Sequence, residues 1–181
     1  MSARPSYRVW DPLVRVLHWT LAASVLLAWM TRHGAADRHE WIGYASLIAV
    51  AVRVAWGWAG SRYARFGQFI RSPAATLRYS RRVLAGSAPR HLGHNPLGGW
   101  MILALLMTTA MAGLSGWLYT TDAYWGEKWL EDVHEALSVS LLVLIAMHVA
   151  GVVVTSFAHR ENLASAMIHG RKRAAEEGDV A

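Results

Sequence analysis

Four stretches of the chain are almost continuously apolar, and most charged residues lie between them. The stretches cover residues 12–30, 40–59, 97–119 and 127–158. Each reaches the roughly 20 residues that a helix needs to cross the hydrocarbon core of a bilayer. The pattern therefore predicts an all-α fold, a four-helix transmembrane bundle that forms one domain over residues 1–181.

Two shorter segments outside these stretches also carry helix signals. Ser72 and Pro73 are typical of a helix start and Gly86 of a helix end, which predicts a short basic helix over residues 73–85. Residues 161–169 are predicted to form a second short helix. We expect both to be amphipathic helices on the cytoplasmic surface, attracted to anionic membrane lipid. Solvated loops are the equally favoured alternative.

Basic residues are distributed unevenly between the loops. Three lie near the start of the chain, namely Arg4, Arg8 and Arg15, and eleven more lie between the second and third stretches or after the fourth. The other two loops hold only three. Because Lys and Arg accumulate on the cytoplasmic side, both termini are predicted to be cytoplasmic. The chain start lacks a signal-peptide cleavage pattern, so we expect the first stretch to be retained as a helix.

Composition narrows the possible chemistry. The chain is 54% hydrophobic and 17% charged, with ten Trp, no Cys and a net charge of +6. Trp is common at membrane–water interfaces. The absence of Cys excludes disulfides, Cys-based zinc or iron–sulfur sites and covalent haem attachment. The basic residues flank apolar stretches, so they indicate membrane orientation and not nucleic-acid binding.

The fourth stretch contains two histidines, His134 and His148, in an otherwise apolar segment. In a helix, this spacing places them within about 40° of one face and about 21 Å apart along the axis. Ionisable residues within a membrane are costly and usually functional. The predicted topology places His39 at the outer depth of His134, and His18 at the inner depth of His148. The sequence thus predicts two pairs, His39–His134 and His18–His148.

Each pair matches the ligands of a b-type haem, which takes two imidazoles from facing helices. Zinc would need three or four clustered ligands. A proton relay competes better, but it would usually include Asp or Glu, and neither lies deep in an apolar stretch. We therefore expect two haem b groups, with His18, His39, His134 and His148 as iron ligands.

Other residues of the stretches fit the same arrangement. Arg53 lies 14 residues after His39 and should share its helix face. There it could pair with an inner haem propionate or extend to the cytoplasmic interface; the two are equally favoured. Gly43 and Gly151 lie one turn from a histidine, where a flat macrocycle needs a close backbone. Helix packing is the alternative, and it is favoured for Gly113 and Gly116.

Seven motifs extend over nearly the whole chain: VLHW (16–19), HEWIG (39–43), GSRYARF (60–66), LGHNPLGG (92–99), VHEAL (133–137), LIAMHVAGV (144–152) and HRENLASAMIHGRKR (159–173). With the four histidines, they resemble the prokaryotic cytochrome b561 family, which includes the b-type cytochrome subunits of nickel–iron hydrogenases and formate dehydrogenases. The resemblance implies a dihaem four-helix bundle in the bacterial inner (cytoplasmic) membrane, with the same two histidine pairs.

The resemblance also implies electron transfer between the membrane quinone pool and a periplasmic partner, which would be a c-type cytochrome, a hydrogenase or a dehydrogenase. It implies a quinone site at Asn95, Gly98 and His148, although Asn95 and Pro96 are also typical of a helix start. A stand-alone superoxide:quinone oxidoreductase is the alternative function, and whether the chain is itself an enzyme stays open. The predicted outer loops hold more acidic than basic residues, which argues mildly against an anionic substrate. A membrane anchor with purely structural haem is a third hypothesis.

Overall fold

The computed structural model describes residues 6–34 and 36–180; Arg4, counted above among the cytoplasmic basic residues, lies outside them. Four of its helices are long and apolar enough to cross a membrane, which confirms the predicted all-α membrane bundle. In chain order the elements are β1 (Ser6–Arg8), α1 (Pro12–Thr31), α2 (Ala36–Ala59), a 3-10 turn (Arg62–Ala64), α3 (Phe66–Phe69), α4 (Pro73–Leu84), α5 (Pro96–Tyr119), α6 (Lys128–Ala158), α7 (Leu163–His169) and β2 (Arg171–Arg173).

The helix boundaries follow local chemistry at each end. α2 begins at Ala36, four residues before the apolar stretch. The acidic Asp37 in this first turn stabilises the helix, because the N-terminal end of a helix carries a partial positive charge. His39 therefore lies inside the first turn and not at the boundary. α1 begins after Asp11, whose Oδ1 accepts the Val14 amide at 2.9 Å and acts as the helix cap.

Both predicted surface segments are helical, so the alternative of solvated loops is wrong. α4 is capped by the Ser72 hydroxyl, which accepts the Ala75 amide, and the chain turns out of it at Gly86, where φ is +66°. α7 begins at Leu163 and not at residue 161, because the Asn162 side chain caps it by accepting the Ser165 amide at 2.8 Å.

The described residues divide into two compact units, and each of the four long helices contributes to both. The first unit comprises residues up to 15, 56–102 and 147 onward, and the second comprises 16–55 and 103–146. Because every long helix contributes to both units, we retain the one-domain organisation of residues 1–181 as a proposal.

The first unit has a small sheet and core that the hydrophobic pattern did not predict. β1 pairs antiparallel with β2 in the register Ser6↔Arg173, Tyr7↔Lys172, Arg8↔Arg171. A cluster of buried side chains lies beside it, formed by Val9, Trp10, Tyr63, Leu92 and Ala166. Segments far apart in sequence are thus held together at the ends of the long helices.

A buried ionic cluster reinforces this unit. Arg90 donates to Glu161 Oε1 at 2.6 Å and also pairs with Asp179. Lys172 lies 3.6 Å from the same glutamate and donates to the His91 carbonyl at 3.1 Å. Because each charge has opposite partners and further hydrogen bonds, the cost of burying the group is offset.

Candidate functional site

His39 and His134 face each other within the second unit. Their ring centres are 6.0 Å apart, and their planes are nearly perpendicular at 81°. One ring comes from the first turn of α2 and the other from the second turn of α6. The structure therefore brings together the outer histidine pair that the sequence predicted.

The Nδ1 atom of each ring is held by a backbone carbonyl of another helix. His39 Nδ1 lies 2.9 Å from the Ala28 oxygen on α1, and His134 Nδ1 lies 2.9 Å from the Ala112 oxygen on α5. A carbonyl oxygen can only accept, so each Nδ1 carries the proton and donates it. This tautomer leaves both Nε2 atoms unprotonated, which is the form in which imidazole binds a metal.

Ser115 and Gly116 complete the surroundings of His134 on α5. The Ser115 hydroxyl lies 3.2 Å from the same Nδ1 and itself donates to the Ala112 carbonyl at 3.0 Å. A Cβ built on Gly116 would lie 3.0 Å from the His134 ring, so glycine allows the ring to approach. Gly113 lies against the Leu47 side chain, in agreement with the helix packing favoured for it. Gly116 was also assigned to packing, but it lies against the His134 ring.

The two imidazoles, whose ring centres lie 6.0 Å apart, are the donor set that would hold a haem iron. Gly43, one turn after His39, has open space where a Cβ would be, and its predicted place against a macrocycle stays a prediction.

The two histidines of the predicted inner pair belong to different units of the structure. His18 is half-buried on α1 and belongs to the second unit, whereas His148 is half-buried on α6 and belongs to the first. α6 is continuous from Lys128 to Ala158, so it carries His134 and His148 on a single helix. Gly151 has open space where a Cβ would be, as Gly43 has. The pairing of His18 with His148 stays a prediction.

Arg53 lies within α2, and protein atoms cover it to leave 6% of the residue exposed. A side chain extended to the interface would be more exposed, so the burial favours an internal ionic role over the extended alternative. A guanidinium buried to this extent is stable only beside anionic or acceptor groups. Its assignment to a haem propionate stays a prediction.

Asn95 and Gly98 lie at the start of α5. Asn95 Oδ1 accepts the Gly98 amide at 2.7 Å, and Pro96 follows as the first helical residue. This is a helix cap, the alternative raised by the sequence. Their predicted quinone contacts stay a prediction. Next to them, His94 packs between Trp10 and Phe69, with ring centres 4.4 and 4.9 Å away.

Sequence reasoning missed the residues that orient the outer pair. The two carbonyls that hold the rings leave no side-chain signal, and Ser115 has the ordinary appearance of a small helix residue. The one usable signal was the run AGLSG at 112–116, in which small residues permit close approach to α5. Over residues 6–34 and 36–180, no three His, Cys, Asp or Glu side chains lie close enough together to hold a metal ion.

Comparison with known proteins identifies the family of the chain. A family model described as prokaryotic cytochrome b561 matches residues 9–170. The chain is also 22% identical to the "Probable Ni/Fe-hydrogenase B-type cytochrome subunit" of Bradyrhizobium diazoefficiens, in a match that covers 94% of this chain and 87% of the relative. No solved structure matches the chain.

Proposed function

Because this chain belongs to the prokaryotic cytochrome b561 family, we propose that it is a dihaem cytochrome that carries electrons between a periplasmic redox partner and membrane quinone. The family and the fold make the chain a membrane-embedded b-type cytochrome of electron transfer. The number of haems, their ligands, the quinone and the partner are the proposal.

The observation that carries the proposal is the His39–His134 pair with both Nδ1 atoms anchored. Fixed carbonyls on α1 and α5 hold the two rings in one tautomer, so the ligands are oriented before a metal binds. Haem b supplies reversible one-electron chemistry when bound. The protein supplies the ligands and an apolar environment that excludes water.

We assign the second haem to His18 and His148. The assignment rests on the spacing along α6 and on the placement of His18 in α1, which make a second level at an inner depth. A second level extends the electron path across the bilayer. It also favours electron transfer over a structural anchor, for which one haem would suffice.

The quinone site is proposed at the inner end, around Asn95, Gly98 and His148. Asn95 and Gly98 lie at the first turn of α5, where the helix leaves the loop and enters its apolar portion. A quinone dissolved in the membrane could reach such a depth without leaving lipid. The proposed topology places both termini and this end of the bundle in the cytoplasm.

The proposed periplasmic partner is a hydrogenase, a dehydrogenase or a c-type cytochrome. The relative in Bradyrhizobium diazoefficiens carries the name of a nickel–iron hydrogenase subunit, which favours a large redox enzyme. The loop before α6 and its first turns hold Asp122, Glu127, Glu131 and Asp132, of which the last two pair with Lys128 at 3.4 and 2.8 Å. The remaining acidic surface would suit a basic partner.

The test is a haem count on the purified protein combined with its redox spectrum. We expect a pyridine haemochrome assay to give two haem b per chain, and a quinol to reduce them reversibly. A count of zero would refute the proposal, and a count of one would refute the second level. Haem that no quinol reduces would support the structural anchor instead. Reduction of quinone by superoxide, lost in His134→Ala, would support the superoxide alternative.

A further inference from the structure

A cavity of about 440 Å³ opens at the C-terminal end of α2. It is lined by residues from the last turn of α2 and the loop that follows, namely Gly57, Trp58, Arg62, Arg65, Gly67 and Gln68. All six belong to the first unit. None of them has a role in the electron-transfer site proposed above.

The cavity is cationic, and no acidic residue of the surrounding sequence neutralises it. No Asp or Glu occurs between Glu40 and Asp122. Both arginines are exposed. Arg65 Nε donates to the Gly60 carbonyl at 2.8 Å, which holds one nitrogen of its guanidinium group in place. Two guanidinium groups in one cavity are suited to the oxygens of a phosphate.

Two features favour a position of the cavity at the level of lipid headgroups. Trp58 is 76% exposed one residue before α2 ends, and its ring packs edge-on against Phe66 at 6.0 Å. Trp at the end of a transmembrane helix is typical of the membrane interface. In the same unit, α4 exposes Leu77 and Leu84 beside Arg81, the pattern of a helix that lies on an anionic membrane.

We propose that this cavity binds the phosphate of an anionic glycerophospholipid, with Arg62 and Arg65 as the phosphate ligands and Trp58 against the glycerol and acyl region. A free phosphate ester shares the charged group, but it has no apolar part to cover the exposed face of Trp58. Lys and Arg clusters that directly follow a transmembrane helix on its cytoplasmic side are a known form of lipid headgroup site. The proposal requires only that the chain spans a membrane, and it is independent of the haem number and the quinone.

The experiment uses the full-length haem-loaded protein purified in detergent. Phosphatidylglycerol, phosphatidylcholine or free glycerol 3-phosphate is added, and the midpoint of thermal unfolding and the lipid bound by native mass spectrometry are measured. Ligands that bind only the folded state raise the midpoint. We expect phosphatidylglycerol to raise it and to remain bound, and the other two to do neither. Equal stabilisation by glycerol 3-phosphate would overturn the lipid assignment.

Two matched variants separate a site from general positive charge. Arg62→Gln/Arg65→Gln and Arg78→Gln/Arg82→Gln each remove two exposed arginines, the second pair from α4. We expect the first variant to bind phosphatidylglycerol about tenfold more weakly or worse, because two charged hydrogen-bond donors are lost, and the second to bind nearly as the parent does. Equal losses would overturn the proposal. So would loss of haem in the first variant, since the arginines would then serve the haem. If that variant does not fold, Arg62→Gln alone replaces it.

Discussion

Gly116 lies directly against the imidazole of His134: a Cβ at residue 116 would be 3.0 Å from Cε1 and 3.3 Å from Nδ1. The same ring is anchored through Nδ1 to α5. The absence of a side chain at residue 116 therefore allows the ring to reach its anchor. A glycine that sequence reasoning assigned to helix packing is part of the histidine site.

The first prediction follows from this contact. Gly116→Val places a branched side chain where the His134 ring now lies, so the ring must leave the Ala112 carbonyl. We expect about one haem per chain in place of two, with a tenfold or greater loss of outer haem affinity, the usual scale for disrupting a ligand's support. Ala136→Leu, at an exposed position of α6, is the control and should keep both haems.

The second prediction concerns the ligands themselves. His39→Ala and His134→Ala should each lose one haem, and His18→Ala and His148→Ala should each lose the other. Pyridine haemochrome counts give the number, and redox titration identifies which potential is missing. Each variant of a pair should lack the same potential. Loss of the same haem in His39→Ala and His148→Ala would contradict the proposed pairing.

The third prediction concerns Ser115, whose hydroxyl oxygen lies 3.2 Å from His134 Nδ1. It accepts a second, longer hydrogen bond from the N–H that also donates to the Ala112 carbonyl. Ser115→Ala removes this acceptor, so the imidazole becomes a weaker electron donor and the ferric state is less stabilised. We expect one of the two haem potentials to rise by less than about 59 mV, a tenfold change for one electron. The other potential and the haem count should stay unchanged. Ser46→Ala, which removes a hydroxyl bonded within α2, is the control.

The fourth prediction concerns the buried ion pair of Arg90 and Glu161, whose side chains are 5% and 8% exposed. Glu161→Gln leaves Arg90 without that charge and should cost about 3 kcal/mol, lowering the midpoint of thermal unfolding by about 6 to 12 °C. Glu176→Gln removes a carboxylate that is 60% exposed, at 3.4 Å from Arg173, and should change the free energy of unfolding by less than about 1 kcal/mol.

The same pair predicts a pH dependence. Burial alone would raise the pKa of Glu161, but its bond to Arg90 and the charge of Lys172 hold the pKa below the usual 4.5. The stabilisation is then complete above the unfolded-state pKa and is lost as the pH falls through the lower folded-state pKa. Unfolding midpoints measured from neutral pH downward should fall below about pH 4.5 in the parent. In Glu161→Gln this acid-dependent part should be smaller; an unchanged profile would contradict the role of Glu161.

How far the sequence predicts this protein depends on the kind of interaction. The long helices follow from the length of the apolar stretches, which is a local property of the sequence. The caps at Ser72 and Asn95 are local as well, since each side chain bonds an amide three residues later. The β1–β2 pairing joins residues more than 160 positions apart and has no local pattern. The histidine pair was predictable because its side chains carry the chemistry. Their carbonyl anchors were not, since every residue has a carbonyl and only the fold selects Ala28 and Ala112.

The pairing of β1 with β2 has a consequence for biogenesis. β1 precedes all four long helices in the chain, whereas β2 follows them. A ribosome therefore releases the partner of β1 only after the last long helix has been made. During synthesis the first strand must wait unpaired, and the Arg90 cluster is incomplete until Glu161 and Lys172 emerge. The closure of this unit therefore requires a chain that has been synthesised as far as β2, beyond all four long helices.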